Sequence, residues 1–250
     1  MIDIHTHILP GVDDGSKSIE MSLKMAAAAY ESGVDTMVCT PHCMPGVYSN
    51  YASEKLEKSF IHLKEAVRGT GIPVSLKKGM EVLLTERTEK MLPEKKFWTL
   101  NDSHYLLVEF SFDEDPAYCY KALEKVKENG YIPIIAHPCR YYFVQQVPQI
   151  VYDWYQKGYG IQINKGSLLG SFGKKEMDCA NRLLRHCLVT CVASDTHRSD
   201  KRTSAMDEVK KYLRDRYGRE YTHMLLSENP ERILHDRKLV GYEPVSFIEE

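Results

Sequence analysis

Two pairs of residues in this sequence have a spacing suited to metal chemistry. His5 and His7 lie two positions apart near the N-terminus, and Asp195 and His197 repeat this spacing far along the chain. Side chains two apart on a β-strand point to the same face, so each pair presents two donor groups together. Imidazole and carboxylate groups are typical ligands of divalent transition metals.

Further polar residues follow apolar runs at the ends of predicted strands, and they are His42, Glu81, Glu109 and His137. A carboxylate in such a place is costly to bury unless it is paired or bound to a cation. Glu81 and Glu109 are therefore either salt-bridged framework residues or metal ligands. Taken with the histidines, they favour a centre that contains Zn²⁺, Mn²⁺ or Fe²⁺.

Cysteines do not complete this ligand set. Cys39 and Cys43 flank His42, but no second cysteine pair is present to form a zinc knuckle. We interpret them as a buried thiol and a loop thiol. The seven cysteines include no Cys-x-x-Cys pair, which favours reduced thiols and a cytoplasmic location.

The elements that position these residues alternate between strands and helices. Strands are predicted over 2–7, 35–40, 74–82, 105–110, 132–137, 160–164 and 188–195, and helices over 16–31, 53–68, 117–129, 147–156, 174–186, 203–217 and 228–234. Continuously apolar strands are typical of parallel sheets buried on both faces. The pattern predicts a single α/β domain over residues 1–250, an irregular (β/α)7 barrel similar to a TIM barrel. The C-terminal strand ends of such a barrel carry the active site.

Charge and composition exclude several classes of partner. Lys plus Arg is 33 and Asp plus Glu is 35, a net charge of −2, which gives no electrostatic reason to expect nucleic acid. We expect no signal peptide and no membrane insertion, because no apolar run has the required length or flanks. The sequence leaves the oligomeric state open.

The ligand pattern resembles that of the polymerase-and-histidinol-phosphatase (PHP) superfamily. Within it, the opening run Met-Ile-Asp-Ile-His-Thr-His-Ile-Leu-Pro-Gly-Val-Asp-Asp-Gly-Ser resembles the bacterial manganese-dependent protein-tyrosine phosphatases of capsule and exopolysaccharide clusters. Residues 100–103, 136–138 and 193–197 are similar to motifs of the same family. The resemblance therefore extends over most of the chain and implies a PHP-type barrel.

This resemblance implies about three divalent metal ions, with Mn²⁺ as the first choice and Fe or Zn²⁺ as alternatives. It groups the ligands as His5, His7, Glu81 and Asp195, then Glu81, Glu109 and His137, then Asp14, His42 and His197. Asp14 lies in a segment that by itself predicts a turn, so its ligand role comes only from the resemblance. The family usually has a glutamate at the position of Cys139, which alters the surroundings of a predicted ligand.

Two arginines are candidates for binding a phosphoryl group. Arg140 and Arg202 each follow a predicted ligand, and Arg198 is a weaker substitute for the latter. A guanidinium can form paired hydrogen bonds to phosphoryl oxygens. We therefore assign catalysis to these two arginines together with Asp195 and His197, in the hydrolysis of a phosphate monoester by metal-activated water.

A cysteine-dependent phosphatase mechanism lacks its residues. It needs an arginine six positions after the reactive cysteine. At that offset, Cys43 is followed by Ser49, Cys139 by Gln145 and Cys187 by Ala193. Serine-hydrolase and nucleotide-kinase interpretations also lack their motifs, the Gly-x-Ser-x-Gly elbow and the Walker loop.

Three functions stay open. The first is a protein-tyrosine phosphatase in the regulation of capsular polysaccharide synthesis, acting on a phosphotyrosine segment such as the tail of a bacterial tyrosine kinase. The second is a small-molecule phosphatase, for example a histidinol-phosphatase, and the third is a non-catalytic metal-binding regulatory module. The block Asp13-Asp14-Gly15 and residues 100–103 favour the first, and the complete ligand set argues against the third.

Overall fold

Strands and helices alternate along the chain, and the computed structural model describes residues 1–249. Within these residues the strands are β1 (Ile2–Thr6), β2 (Thr36–Cys39), β3 (His42–Met44), β4 (Tyr48–Ser49), β5 (Ser75–Lys78), β6 (Glu81–Leu83), β7 (Tyr105–Glu109), β8 (Ile132–Ala136), β9 (Gly160–Asn164) and β10 (Cys191–Ala193). The helices are α1 (Ile19–Glu31), α2 (Glu54–Thr70), α3 (Glu86–Glu89), α4 (Pro116–Glu128), α5 (Tyr142–Gln146), α6 (Gln149–Gln156), α7 (Lys165–Leu168), α8 (Lys174–Arg185), α9 (Asp207–Tyr217), α10 (Arg219–His223) and α11 (Asn229–Leu234).

The strands surround a common centre. Hydrogen bonds join them into two sheets, ordered β1-β2-β5 and β10-β9-β8-β7-β6-β3-β4. On one side the backbone itself joins the two sheets, because the chain runs from β2 directly into β3 and from β5 directly into β6. On the other side the Asp195 N–H donates to the His5 carbonyl at 3.0 Å, and the His7 N–H donates to the Thr196 carbonyl at 2.9 Å. The predicted irregular α/β barrel is confirmed.

The predicted strand 74–82 is wrong as a single strand. It is divided at Gly79 into β5, which pairs with β2, and β6, which pairs with β3. The barrel wall is tight at this step, because a Cβ on Gly79 would lie 2.8 Å from Val38 Cγ1 and 2.9 Å from Leu100 Cδ2. The division makes Glu81 the first residue of its own strand, and this residue is fully buried.

Helix boundaries follow local capping and length. Ser18 accepts a hydrogen bond from the Met21 N–H at the start of α1, whereas the hydroxyl of Ser16 contacts that of Ser22. The short helices α5 and α7 are absent from the sequence-based prediction, because so few residues give no periodic pattern. Among the helices of residues 1–249, none has the length and apolarity needed to cross a membrane.

Replacing Gly79 by alanine should destabilise the barrel. The new Cβ has no room between Val38 and Leu100, and overpacking of this kind costs about 1–3 kcal/mol. Gly69 in α2 is the matched control, since an added Cβ there meets no atom within 4 Å and alanine suits a helix better than glycine. Chemical unfolding of both variants measures the difference, and equal stability would contradict the packing argument.

Candidate metal centre

The end of β1 places two histidines at the centre of the barrel. The register of β1 on β2 shifts between Asp3 and Thr6, as at a β-bulge, which re-aims side chains. The Nε2 atoms of His5 and His7 lie 3.2 Å apart, and each is 3.2 Å from Oε2 of Glu81. The two-residue spacing therefore does bring the rings together, beside a buried carboxylate.

Asp195 completes this first group from the other end of the chain. Its Oδ1 lies 3.6 Å from His5 Nε2 and 3.4 Å from His7 Nε2. In a tetrahedral site with metal–nitrogen distances of about 2.1 Å, ligand atoms are about 3.4 Å apart. The spacing of these donor atoms fits a single divalent ion.

A second group adjoins the first through Glu81. The other oxygen of this carboxylate, Oε1, lies 2.9 Å from His137 Nε2, which is 3.7 Å from Glu109 Oε2. His42 enters this group as well, with Nδ1 3.1 Å from Glu109 Oε1 and 2.9 Å from Glu81 Oε2. The carboxylate of Glu81 thus lies between the first group and the second.

A third group lies at the rim of the cluster. Asp14 Oδ1 is 3.4 Å from His42 Nε2 and 3.5 Å from His197 Nε2, and the Asp14 side chain is 48% exposed. The resemblance places His42 only in the third group. In the structure, His42 contacts the second group as well. The structure brings all the predicted ligands into one continuous cluster, namely His5, His7, Asp14, His42, Glu81, Glu109, His137, Asp195 and His197.

Hydrogen bonds to the far ring nitrogens orient the histidines. Nδ1 of His5 lies 3.0 Å from Gln162 Oε1, and Nδ1 of His7 lies 2.9 Å from Asp13 Oδ2. Because these oxygens accept, each Nδ1 carries a proton and each Nε2 can offer a lone pair to the centre. His197 is fixed in the same way, with Nδ1 3.0 Å from a backbone carbonyl.

Two amide side chains of β9 connect His5 to Asp195. Gln162, which accepts from His5, donates through Nε2 to Asn164 Oδ1 at 2.9 Å. Asn164 Nδ2 in turn donates to Asp195 Oδ2 at 2.6 Å. All four side chains are buried. This chain of hydrogen bonds fixes the orientation of ligands from opposite ends of the sequence.

Several buried ligand atoms at the centre lie close together without the geometry of a hydrogen bond within residues 1–249. They include His42 Nδ1 and the two oxygens that it faces at 2.9 and 3.1 Å, Glu81 Oε2 and Glu109 Oε1. Buried polar atoms are rarely left in this state, and carboxylate oxygens and imidazole nitrogens are the donors that a divalent transition metal accepts. The residues therefore fit a metal cluster.

Neighbouring charges at the centre outweigh the effect of burial. Burial alone would raise the pKa of Glu81, but His5 and His42 hold it well below its usual range. Burial alone would lower the pKa of His42, but Glu81 and Glu109 raise it to about 10. Histidine protons therefore have to leave when a metal binds.

Two arginines lie beside the cluster. Arg202 Nη2 is 2.5 Å and Arg140 Nη1 is 4.0 Å from Asp195 Oδ2. Arg198, the weaker candidate, is exposed, and no ion pair links it to the centre among the described residues. Asp195 thus directs one oxygen to the histidines and the other to the arginines.

The backbone is strained at three of these residues. His137, Asp195 and Arg202 have φ values of 36°, 51° and 51°, in the left-handed region that residues other than glycine rarely adopt. Such strain costs about 1–3 kcal/mol per residue and clusters at functional sites. His137 and Asp195 lie where the chain leaves β8 and β10, and Arg202 lies further along the segment that follows β10.

Sequence reasoning missed the residues that support the ligands. Nothing in the sequence distinguishes the role of Asp13 from that of its neighbour Asp14. In the structure, Asp13 contacts the His7 ring and accepts a hydrogen bond from the His42 N–H. Gln162 was detectable in principle, because it is a polar residue between two isoleucines of a predicted buried strand.

The two cysteines near His42 behave as packing residues. Both Cys39 and Cys43 are fully buried, and Cys43 lies in β3 rather than in a loop. Burial raises the pKa of each thiol to about 12. Among the described residues, neither thiol belongs to a group of ligand atoms close enough to share a metal ion.

A parallel barrel whose strand ends gather histidines, carboxylates and two arginines has the arrangement of a metal-dependent hydrolase. The chain belongs to the CpsB/CapC family of capsular polysaccharide synthesis, and the family model matches residues 1–235. The family that the sequence motifs predict is therefore confirmed.

Similar proteins cover nearly the whole chain. Tyrosine-protein phosphatase YwqE of Bacillus subtilis is 36% identical over 250 residues, which are 98% of this chain and 95% of the relative. Tyrosine-protein phosphatase CpsB of Streptococcus pneumoniae is 32% identical over 242 residues, 95% of this chain and 99% of the relative. A similar crystal structure comes from a study of YwqE and CpsB, which are described there as metal-dependent tyrosine phosphatases. It has a TM-score of 0.91 and 35% sequence identity to this chain, and the match covers 98% of this chain and 99% of that one.

Metal affinity should fall as the pH is lowered. With a pKa of about 10, the His42 ring holds a proton at neutral pH in the metal-free protein, and metal binding must displace it. Each displaced proton makes the affinity rise about tenfold per pH unit below that pKa. Calorimetric titration with Mn²⁺ in buffers of different ionisation enthalpy counts the released protons, and a count of zero would contradict this balance.

Replacing Gln162 by leucine should weaken metal binding by about 10- to 100-fold, the usual effect of removing a partner that orients a ligand. The leucine cannot accept from His5 or donate to Asn164. Gln156, exposed at the end of α6, provides the matched Gln→Leu control. Competition with a chelating dye measures both affinities, and an unchanged value for Gln162→Leu would refute the orienting role.

Proposed function

We propose that this protein is a metal-dependent phosphatase that removes phosphate from tyrosine residues of other proteins. The observation that carries the proposal is the position of Asp195, which joins the ligand cluster to Arg140 and Arg202. The names of the relatives at 36% and 32% identity support the same activity.

Three divalent ions are proposed, with Mn²⁺ as the first choice and Fe or Zn²⁺ as alternatives. Their ligands would be His5, His7, Glu81 and Asp195 for the first, Glu81, Glu109 and His137 for the second, and Asp14, His42 and His197 for the third. When bound, the metals supply a water nucleophile activated at neutral pH and positive charge for the phosphoryl oxygens.

The residues of the protein bind and orient the substrate. Arg140 and Arg202 donate paired hydrogen bonds to the phosphoryl oxygens, which fixes the phosphorus beside the ligand cluster. Positioning and electrostatic stabilisation then account for most of the rate enhancement in phosphoryl transfer. Tyrosine has a pKa of about 10, so its phenolate leaves with less protonation than an alkoxide needs.

The proposed substrate is a phosphotyrosine segment such as the tail of a bacterial tyrosine kinase, in the cytoplasm and in the regulation of capsule synthesis. The description of the family supports this pathway. The free state of all seven cysteines agrees with a reducing compartment. Residues 1–250 are proposed to act as a single domain.

Phosphate release from a phosphotyrosine peptide and from histidinol phosphate tests the activity. Enzyme stripped by chelator should be silent on both substrates, and added Mn²⁺ should restore turnover of the peptide by at least about a hundredfold. Glu81→Gln should stay inactive after addition of Mn²⁺, because Glu81 lies between two ligand groups.

The possible outcomes separate the alternatives. Preference for histidinol phosphate would keep the metal chemistry and replace the substrate class. Silence on both substrates, with metal bound, would favour a regulatory module. Full activity of Glu81→Gln would refute the metal scheme itself.

A further inference from the structure

One aromatic ring contacts both arginines of the site. Phe172 lies in the loop between α7 and α8, and its ring centre is 5.1 Å from the guanidinium carbon of Arg140 and 5.8 Å from that of Arg202. A second ring, that of Phe112, lies 4.3 Å from Arg140. The two arginines come from loops after different strands, so Phe172 is an element that they share.

The backbone of α7 leaves a space for this ring. A Cβ on Gly166 would lie 2.6 Å from Phe172 Cε2 and 3.1 Å from its Cζ. Real Cβ atoms do not approach other atoms so closely, so any other residue at position 166 would displace the ring. The absence of a side chain at Gly166 therefore determines where Phe172 can lie.

Charge explains why an aromatic ring suits this place. Two guanidinium groups converge on one oxygen of Asp195 and repel each other. The face of a phenyl ring attracts each cation without occupying its N–H donors. The donors that Asp195 does not use stay available for phosphoryl oxygens. One of them is Arg202 Nε, which is buried with no hydrogen-bond partner in the described part of the chain.

We infer that Phe172, seated against Gly166, is a positioning residue that holds the guanidinium groups of Arg140 and Arg202 ready for the phosphoryl group. The inference rests on the phosphatase function proposed above. Phe172 acts on binding of phosphate and takes no part in binding metal.

Phe172→Leu is the first test, because leucine keeps the apolar volume and removes the ring face. The KM for a phosphotyrosine peptide and the inhibition constant of inorganic phosphate should both rise by about three- to tenfold, a range set by typical cation–π strengths. The metal content should stay that of the wild type, and Phe172→Trp should restore phosphate affinity. Phe247→Leu is the matched control, since Phe247 lies 5.1 Å from the guanidinium of Arg182 at the end of α8.

A double-mutant cycle tests the role of the space at Gly166. Gly166→Ala should weaken phosphate inhibition in the wild-type background, because the added methyl group displaces the ring. In the Phe172→Ala background the same change should have little effect, since no ring is left to displace. Additive effects of the two changes would overturn the inference.

Two failures can be told apart. If the wild type hydrolyses the peptide but Phe172→Leu keeps the same KM and phosphate inhibition constant, the positioning role is refuted and the phosphatase function stands. If the wild type is inactive with Mn²⁺ bound, the proposed function fails. Calorimetric titration with inorganic phosphate then decides the role of Phe172 without turnover, and equal affinity of wild type and Phe172→Leu would refute it.

Discussion

The structure depends on one carboxylate that is buried among histidines. The two oxygens of Glu81 face His5, His7, His42 and His137, which come from three further strands or strand ends. An unpaired carboxylate at this depth would be strongly destabilising. Its burial therefore requires positive charge at the same point, either protonated imidazole or metal. This requirement constrains how the strand ends that carry these side chains, at β1, β3, β6 and β8, are arranged around the centre.

Asp195 links the buried cluster to the two arginines beside it. One of its oxygens faces the histidines, and the other accepts from Asn164 and faces Arg202 and Arg140. In the proposed function, metal binding and phosphate binding therefore share one carboxylate. Any change in the orientation of this side chain alters both, and its strained backbone is held by the surrounding hydrogen bonds.

The sequence predicts which polar side chains gather at the centre, because metal chemistry allows few residue types and parallel strands bring their ends to one edge. It does not predict the division at Gly79, because an apolar run gives no sign that the partner strand changes. It also does not predict the role of Phe172, because an aromatic residue in a loop carries the same signal whether it packs in a core or beside arginines. Asp13 is hidden for a related reason, since only the folded turn distinguishes it from Asp14.

Closure of the barrel between β1 and β10 has a consequence for biosynthesis. The Ser194 N–H bonds to Asp3 across 191 positions, and His5 meets Asp195 at the same seam. Contacts of such long sequence separation form late, because the loop must close before they contribute. A nascent chain on the ribosome therefore cannot complete the first group of ligands until Asp195 has emerged. Metal loading of this proposed group, and with it hydrolytic activity, waits for that step.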